Sequence, residues 1–181
     1  MGVDACVKEL NNLVKVRSQY CVQYMSSWFI DNKYFIAMEL CSDSLKNILR
    51  LKPQVFGRQS DTEAMNSTEY FISCHIFREL LECVQYLHDS NPSIIHRDLK
   101  PDNILIASNP SDGRFLKLCD FGLATVHERS SAGHKGGVGT RRYMALEVKT
   151  QNRLNTKYDT KVDVYSLGVI GWEIFGLDAF G

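Results

Sequence analysis

The sequence predicts an α+β fold in which a small β-hairpin region precedes a larger and mostly helical region. Apolar and aromatic runs at residues 20–25 and 28–30, and then at 34–40, flank a polar turn at residues 31–33, a pattern typical of a β-hairpin. Two longer segments, from residue 66 to about 88 and from 162 to 175, carry apolar residues at helical spacing. The second is apolar on nearly all sides, which predicts a buried central helix.

Length and composition are those of an ordinary globular domain. Of the 181 residues, 44% are hydrophobic and 23% are charged, enough for one core. Lys and Arg number 21, as do Asp and Glu, and this zero net charge argues against a nucleic-acid-binding protein. No run predicts a membrane span, a signal peptide or a myristoylation site. The six scattered cysteines favour reduced thiols in the cytoplasm or the nucleus over disulfides or a zinc site.

Shorter elements have signals of their own. Residues 3–16 are predicted to form a first helix because their apolar side chains recur at helical spacing. The run Ser42-Asp43-Ser44 is predicted to cap a short helix whose apolar residues end at Leu51. Residues 52–66 are polar and irregular and are predicted to form a surface loop.

The long helix after this loop begins with a recognisable signal. Asn66 and Glu69 are spaced as in a capping box, in which each side chain bonds the backbone of the other residue. His75 and His88 lie on the predicted helix, and neither has the spacing of a metal ligand. Both histidines are therefore predicted to be structural.

Polar residues with catalytic character are concentrated in one stretch, residues 96–122. It begins His96-Arg97-Asp98-Leu99-Lys100-Pro101-Asp102-Asn103 and, after two apolar runs, ends Asp120-Phe121-Gly122. Asp98 and Lys100 are predicted on a short loop between apolar runs, where catalytic groups are commonly placed. Asn103 and Asp120 carry oxygen ligands suited to Mg²⁺, which takes few protein carboxylates together with substrate phosphates.

This stretch closely resembles the protein kinase family. His-Arg-Asp-Leu, with an Asn five residues after the Asp, matches the catalytic-loop signature, and Asp-Phe-Gly matches the metal-binding signature. The resemblance covers essentially the whole chain and implies a truncated two-lobed kinase-like fold. Residues 1–40 would form a partial small lobe, 39–45 the hinge, and 46–181 an incomplete large lobe. A strand–turn–strand unit with incidental charges is the alternative, but it does not explain four polar groups at these offsets.

The resemblance implies a catalytic role for each of these polar groups. Asp98 would accept the proton of the attacking hydroxyl, and Lys100 would neutralise charge on the moving phosphoryl group. Asn103 and Asp120 would hold Mg²⁺. Lys100 two residues after Asp98, together with Thr140 in a Gly-Thr pair, implies phosphorylation of Ser or Thr hydroxyls on a protein substrate.

The resemblance also implies where ATP would bind. Backbone groups of Glu39 and Cys41 in the hinge would contact the adenine ring. Leu105 would lie beneath that ring with Cys119 nearby. Glu9, on the first helix, would take the place of the family's helix glutamate, for which a solvated surface charge is the alternative.

Further residues are assigned structural or regulatory places by the same resemblance. An apolar column of Leu13, Tyr24, His96 and Phe121 would stand on Asp163. Residues 123–143 would form the activation segment, in which Ser130 or Ser131, once phosphorylated, could serve as the anionic partner of Arg97. The segment closes on Ala145-Leu146-Glu147, where the family has Ala-Pro-Glu.

Two functions remain open from the sequence. The first is an ATP-dependent serine/threonine kinase of which these residues form the middle. A Gly-rich loop and a strand lysine are not among the 181 residues, so this segment alone is expected to be inactive. The second is a truncated, non-catalytic kinase-like interaction module. Retention of Asp98, Lys100, Asn103 and Asp120 together favours the first.

Overall fold

The structure is a computed structural model that describes residues 12–60, 63–111, 113–126, 140–149 and 159–177. Residues 12–15 are helical, in agreement with the described part of the predicted first helix. Within the described ranges, no helix combines the length and apolar character that a membrane crossing requires.

The predicted hairpin is present and consists of β1, Tyr24–Ile30, and β2, Lys33–Met38. The strands pair antiparallel with Trp28 opposite Phe35, and these two rings stack at 5.6 Å. Both residues of the connecting turn, Asp31 and Asn32, have positive φ, which is the conformation that short hairpin turns require.

The expectation of a strand from residue 20 onward is wrong at its start. Residues 20–22 instead run beside a later strand, because Val22 N donates to Leu118 O at 2.9 Å and Leu118 N donates to Tyr20 O at 2.9 Å. Cys21 and Val22 are buried by this contact. Pairing with a distant segment, which local sequence does not encode, therefore decides the conformation here.

A second sheet is built from segments distant in sequence. Its order is β3, Cys41–Ser44, then β5, Ile104–Ser111, then β6, Arg114–Leu118, all antiparallel. A third, two-stranded sheet pairs β4, Ile94–Ile95, with β7, Thr125–Val126. The catalytic-type stretch thus leaves β4, enters β5 and continues through β6.

Helix α1 spans Leu45–Val55 and is capped as predicted, since the Ser44 side chain accepts a hydrogen bond from Asn47 N. The predicted loop over residues 52–66 is wrong at its start, because the helix continues through Pro53. Lys52 is only 4% exposed and donates to Ser73 Oγ at 2.7 Å. This burial holds the last helical turn in place despite the missing N–H of proline.

Helix α2 spans Ser67–Asp89, and Asn66 caps it by accepting a hydrogen bond from Glu69 N at 2.9 Å. The other half of the predicted capping box does not form. The Glu69 carboxylate is fully buried and turns to Arg58 Nη2 at 2.8 Å and Lys52 Nζ at 3.6 Å. Two buried cations attract this carboxylate more strongly than one backbone N–H.

Two further α-helices are α3 at Leu146–Lys149 and α4 at Lys161–Ile174, and a short 3₁₀ helix covers Pro101–Asn103. As predicted, α4 is buried along most of its length. The main core includes side chains from α2, α4, β5 and β6: Leu80, Cys83, Val84, Leu87, Ile104, Leu116, Leu118, Leu167, Ile170 and Ile174. Packing of α4 against α2 brings Asp163, which is fully buried, beneath the loop after β4.

Candidate active site

Asp163 on α4 anchors the loop that carries Asp98. Its two carboxylate oxygens accept hydrogen bonds from His96 N and Arg97 N, each at 2.9 Å. His88 Nε2 also lies 2.9 Å from Asp163 Oδ2, so this histidine has the structural role that the sequence predicted. Arg97 has φ of 70°, a conformation that non-glycine residues keep only where the surroundings enforce it. The Asp163 carboxylate supplies that constraint by accepting the hydrogen bond from Arg97 N.

His96 is fully buried and links the loop to the segment containing Asp120. Its Nε2 lies 3.0 Å from Cys119 O, and its ring centroid is 5.0 Å from that of Phe121. Burial lowers the pKa of His96, although the negative charge of Asp163 acts in the opposite direction. A neutral ring with its proton on Nε2 donates to Cys119 O.

Three residues of the predicted apolar column belong to the main core or border it. Phe121 and Leu13 are buried in the main core, and Tyr24 packs against the same cluster. Asn12 Nδ2 donates to Phe121 O at 2.9 Å and to Ala124 O at 3.1 Å. The first helix therefore holds the segment after Asp120 by both apolar and polar contacts.

The carboxylate of Asp98 is 8% exposed and lies at the centre of the site. Its Oδ1 accepts from Thr140 N at 2.8 Å and from Thr140 Oγ1 at 2.9 Å. Its Oδ2 accepts from Lys100 Nζ at 2.9 Å and from Asn103 Nδ2 at 3.2 Å. Every one of these contacts is donated to Asp98, so both oxygens are fixed as acceptors.

Lys100 connects Asp98 with the segment after residue 139. Its Nζ donates to Asp98 Oδ2 and, at 3.1 Å, to Thr140 Oγ1. Burial lowers the pKa of Lys100, but the hydrogen bond and charge of Asp98, with the charges of Asp120 and Asp102, outweigh burial and raise it. Lys100 is therefore a stable cation beside Asp98.

Asn103 and Asp120 have the chemistry of a magnesium site that is completed by phosphates. Asn103 is 6% exposed and directs its Nδ2 to Asp98 O at 2.9 Å, so its side-chain oxygen is the atom suited to a cation. Asp120 has φ of 61° and accepts from Gly122 N at 3.4 Å. Among the described residues, no cluster of three or more His, Cys, Asp or Glu side chains could hold a metal. A pair of oxygen donors fits Mg²⁺, which relies on substrate phosphates for further ligands.

Three of the residues expected near the adenine ring belong to one sheet or follow it. Cys41 begins β3 and pairs with Ala107, and Leu105 lies on β5 opposite Ser44. Cys119 directly follows β6, and its N–H donates to Asn103 O at 3.0 Å. Leu105 is half-buried although its neighbour Ile104 is fully buried, so the two side chains take opposite faces of the sheet.

Glu39, which is expected to contact the adenine ring through its backbone, also has partners for its side chain. Its carboxylate contacts Lys117 Nζ at 2.7 Å and accepts from Gln23 N at 3.2 Å. Sequence reasoning missed both partners, because Lys117 alternates with apolar residues on β6 as any surface-facing strand residue would. Glu9, with Ser130 and Ser131, lies outside the described residues.

The end of the predicted activation segment is held firmly despite its departure from the family signature. Met144, Ala145 and Val148 pack with Ile95 and Val162 in a second core cluster. Leu146, which stands at the proline position, begins α3 and is 62% exposed. The first position of a helix tolerates proline and other residues alike, so the replacement removes no packing.

Comparison with known proteins agrees with the resemblance found in the sequence. A family model described as "Protein kinase domain" matches residues 2–179. The chain is 34% identical over 169 residues to "Serine/threonine-protein kinase cst-1" of Caenorhabditis elegans, across 93% of this chain and 30% of that protein. It is 30% identical over 182 residues to "Receptor-interacting serine/threonine-protein kinase 3" of Homo sapiens, across 96% and 33% respectively. The chain thus spans about a third of the length of these relatives.

Proposed function

This chain belongs to the serine/threonine class of the protein kinase family, and we propose that it is part of an enzyme that phosphorylates Ser or Thr hydroxyls of a protein substrate with ATP. The observation that carries the proposal is the environment of Asp98, a nearly buried carboxylate with Lys100 and Asn103 donating to one oxygen and Thr140 to the other. A surface loop of a purely structural module has no need of such an arrangement.

The chemistry assigned to these residues consists of proton acceptance and charge neutralisation. Asp98 orients the attacking hydroxyl and takes its proton, while Lys100 faces the phosphoryl group as it moves. Phosphoryl transfer depends chiefly on positioning and electrostatic stabilisation, which the tight contacts of Asp98 provide before substrate arrives. Thr140 N donates to the same carboxylate, which holds the start of the segment 140–149 next to Asp98.

Asn103 and Asp120 are the residues that would hold Mg²⁺, which when bound neutralises the phosphate charges of ATP. Asp120 lies close enough to Lys100 for its charge to raise the pKa of that lysine. The proposed metal ligand and the Lys100 ammonium group are therefore neighbours. The anchored backbone at His96 and Cys119 keeps Asn103 and Asp120 at a fixed separation.

For the adenine ring we propose backbone contacts at Glu39 and Cys41, with Leu105 beneath the ring and Cys119 beside it. The strand pairing of β3, β5 and β6 supports this placement, because it gathers three of these residues at one sheet. For localisation we propose the cytoplasm or the nucleus, where free thiols such as those of the buried Cys21 and Cys83 are kept reduced.

The test is steady-state kinetics of the full-length protein with a generic Ser/Thr peptide. We expect Asp98→Asn to lower kcat by roughly 10²–10⁴-fold, the usual contribution of a general base. Asp120→Asn should lower activity at least as far and weaken its dependence on Mg²⁺ concentration. Asp31→Asn, in the exposed turn of the hairpin, is the matched control and should be unaffected. Near-normal turnover in Asp98→Asn would contradict the assignment, and an inactive wild type would favour the interaction module.

A further inference from the structure

A cavity of about 310 Å³ lies at the C-terminal end of α2. Its lining comes from the segment before the hairpin, from the last two turns of α2 and from the residue that follows α2: Tyr20, Glu82, Gln85, Tyr86, Asp89 and Ser90. None of these residues belongs to the candidate active site, so the proposed phosphoryl transfer assigns the cavity no role.

Two tyrosine rings form a fixed wall of this cavity. The rings of Tyr20 and Tyr86 stack with their centroids 4.9 Å apart, and both pack against the main core. Tyr20 O accepts a hydrogen bond from Leu118 N at 2.9 Å, and Tyr86 O accepts one from Ser90 Oγ at 2.8 Å. Because the rings are held in place before a ligand arrives, binding there costs little ordering of side chains.

The same wall already holds one guanidinium group of the protein itself. The guanidinium carbon of Arg114, on β6, lies 4.7 Å from the centroid of the Tyr20 ring. Arg114 Nη1 is 2.5 Å from Glu82 Oε2. An aromatic face attracts a cation through its quadrupole, and a carboxylate fixes the orientation of the planar guanidinium. The contact shows that ring and carboxylate are correctly spaced for an arginine side chain.

A second carboxylate of the cavity, Asp89, is exposed and ends α2. Glu82 is paired with Arg114 and, at 3.8 Å, with Arg78. In the part of the chain that the structure describes, Asp89 has no such ion pair, and the hydroxyls of the two tyrosines make no hydrogen bond. The C-terminal end of a helix adds partial negative charge. An entering cation therefore meets the charge of Asp89 together with two hydroxyl acceptors.

We propose that this cavity, which we call the tyrosine pocket, binds an arginine side chain of a partner protein. Guanidinium is planar and weakly hydrated, so it stacks on an aromatic ring while its N–H groups reach a carboxylate such as Asp89. The ammonium of lysine is a compact and strongly hydrated charge, which gains less from the rings. The charge of the pocket and its aromatic wall thus both favour arginine.

The experiment measures binding of a single arginine to the full-length protein by ligand-observed NMR. The probe is the peptide acetyl-Gly-Gly-Arg-Gly-Gly-amide, and its Kd is compared with those of peptides carrying citrulline or lysine at the central position. Citrulline has the shape of arginine without its charge and should raise Kd by roughly tenfold. Lysine should raise Kd by roughly threefold, since it keeps the charge but stacks poorly.

Two variants of the protein locate the binding. Asp89→Asn should raise Kd for the arginine peptide by roughly threefold, and Tyr86→Leu by roughly fivefold. Asp31→Asn and Tyr70→Leu are the matched controls, because they remove an exposed carboxylate from the hairpin turn and an exposed ring from the other end of α2. Neither control should change Kd.

Thermal unfolding shows whether Tyr86→Leu is folded, since Tyr86 packs against the core, and Asp89→Asn decides the question where it is not. Equal Kd values for the arginine and citrulline peptides would overturn the proposal. Wild-type affinity in Asp89→Asn, or an equal loss in the control variants, would also overturn it. The measurement requires no ATP and no turnover, so its result is independent of the proposed function.

Discussion

At the scale of single residues, His96 shows how burial fixes a protonation state. The ring is fully buried, and burial is the main cause that lowers its pKa from the ordinary value of 6.5. Asp163 and the carbonyl of Cys119 partly oppose this effect. The neutral form is therefore the one that the folded protein keeps near neutral pH.

This protonation state predicts a pH dependence of stability. Since the pKa of His96 is lower in the folded than in the unfolded protein, its contribution is complete above about pH 6.5 and is lost as pH falls below it. The loss is at most about 1.4 kcal/mol per pH unit for one proton. Urea denaturation at about pH 7.5, 6.5 and 5.5 should show a steeper decline in wild type than in His96→Phe. Parallel declines would contradict the prediction.

The site residues differ in how far the sequence could predict them. Asp98, Lys100 and Asn103 are close in sequence, so one motif names them and the structure brings them into mutual contact. The side-chain partner of Glu39 is 78 positions away on β6. No local pattern marks that pair, because it arises only when two sheets meet. The roles in catalysis and nucleotide binding remain predictions.

At the scale of elements, helix starts were predictable and one helix end was not. Ser44 and Asn66 cap α1 and α2 through local hydrogen bonds that depend on nearby residues. The end of α1 depends instead on Lys52, whose ammonium reaches Ser73 on α2 and Ile174 O on α4. Tertiary contacts therefore extended the helix past Pro53, where the sequence indicated a loop.

The packing of α4 against α2 gives a prediction from two glycines on the same helix. A Cβ at Gly171 would lie 3.0 Å from Phe77 Cε2, whereas a Cβ at Gly168 would have nothing within 4 Å. Gly168→Ala should stabilise the protein by about 0.5–1 kcal/mol through helix propensity. Gly171→Ala should be destabilising, because overpacking costs about 1–3 kcal/mol and exceeds that gain.

Chemical denaturation of the two glycine variants, compared with wild type, tests this packing. Opposite signs are expected for the two changes in the free energy of unfolding. Equal stabilisation by both alanines would show that the α2–α4 contact has room for a methyl group.

At the scale of the whole molecule, a buried ionic network joins three helices of the large region. Glu69 on α2 is fully buried, with Lys52 of α1 at 3.6 Å and Arg58 at 2.8 Å. Lys52 also donates to Ile174 O, the last residue of α4. Since α4 carries Asp163 near its other end, the network helps to orient the helix that anchors the catalytic-type loop.

This network predicts a large loss of stability in Glu69→Gln. Burial lowers the pKa of Lys52, and the charge of Glu69 is the main effect that opposes it. Removing one partner of a buried ion pair typically costs about 3–5 kcal/mol, because a desolvated charge remains. Lys46→Met is the matched control, since it breaks an ion pair with Asp102 that is 64% and 40% exposed, and it should cost less than about 1 kcal/mol. Chemical denaturation of the full-length protein measures both variants. Similar small losses would mean that the three helices are held by apolar packing alone.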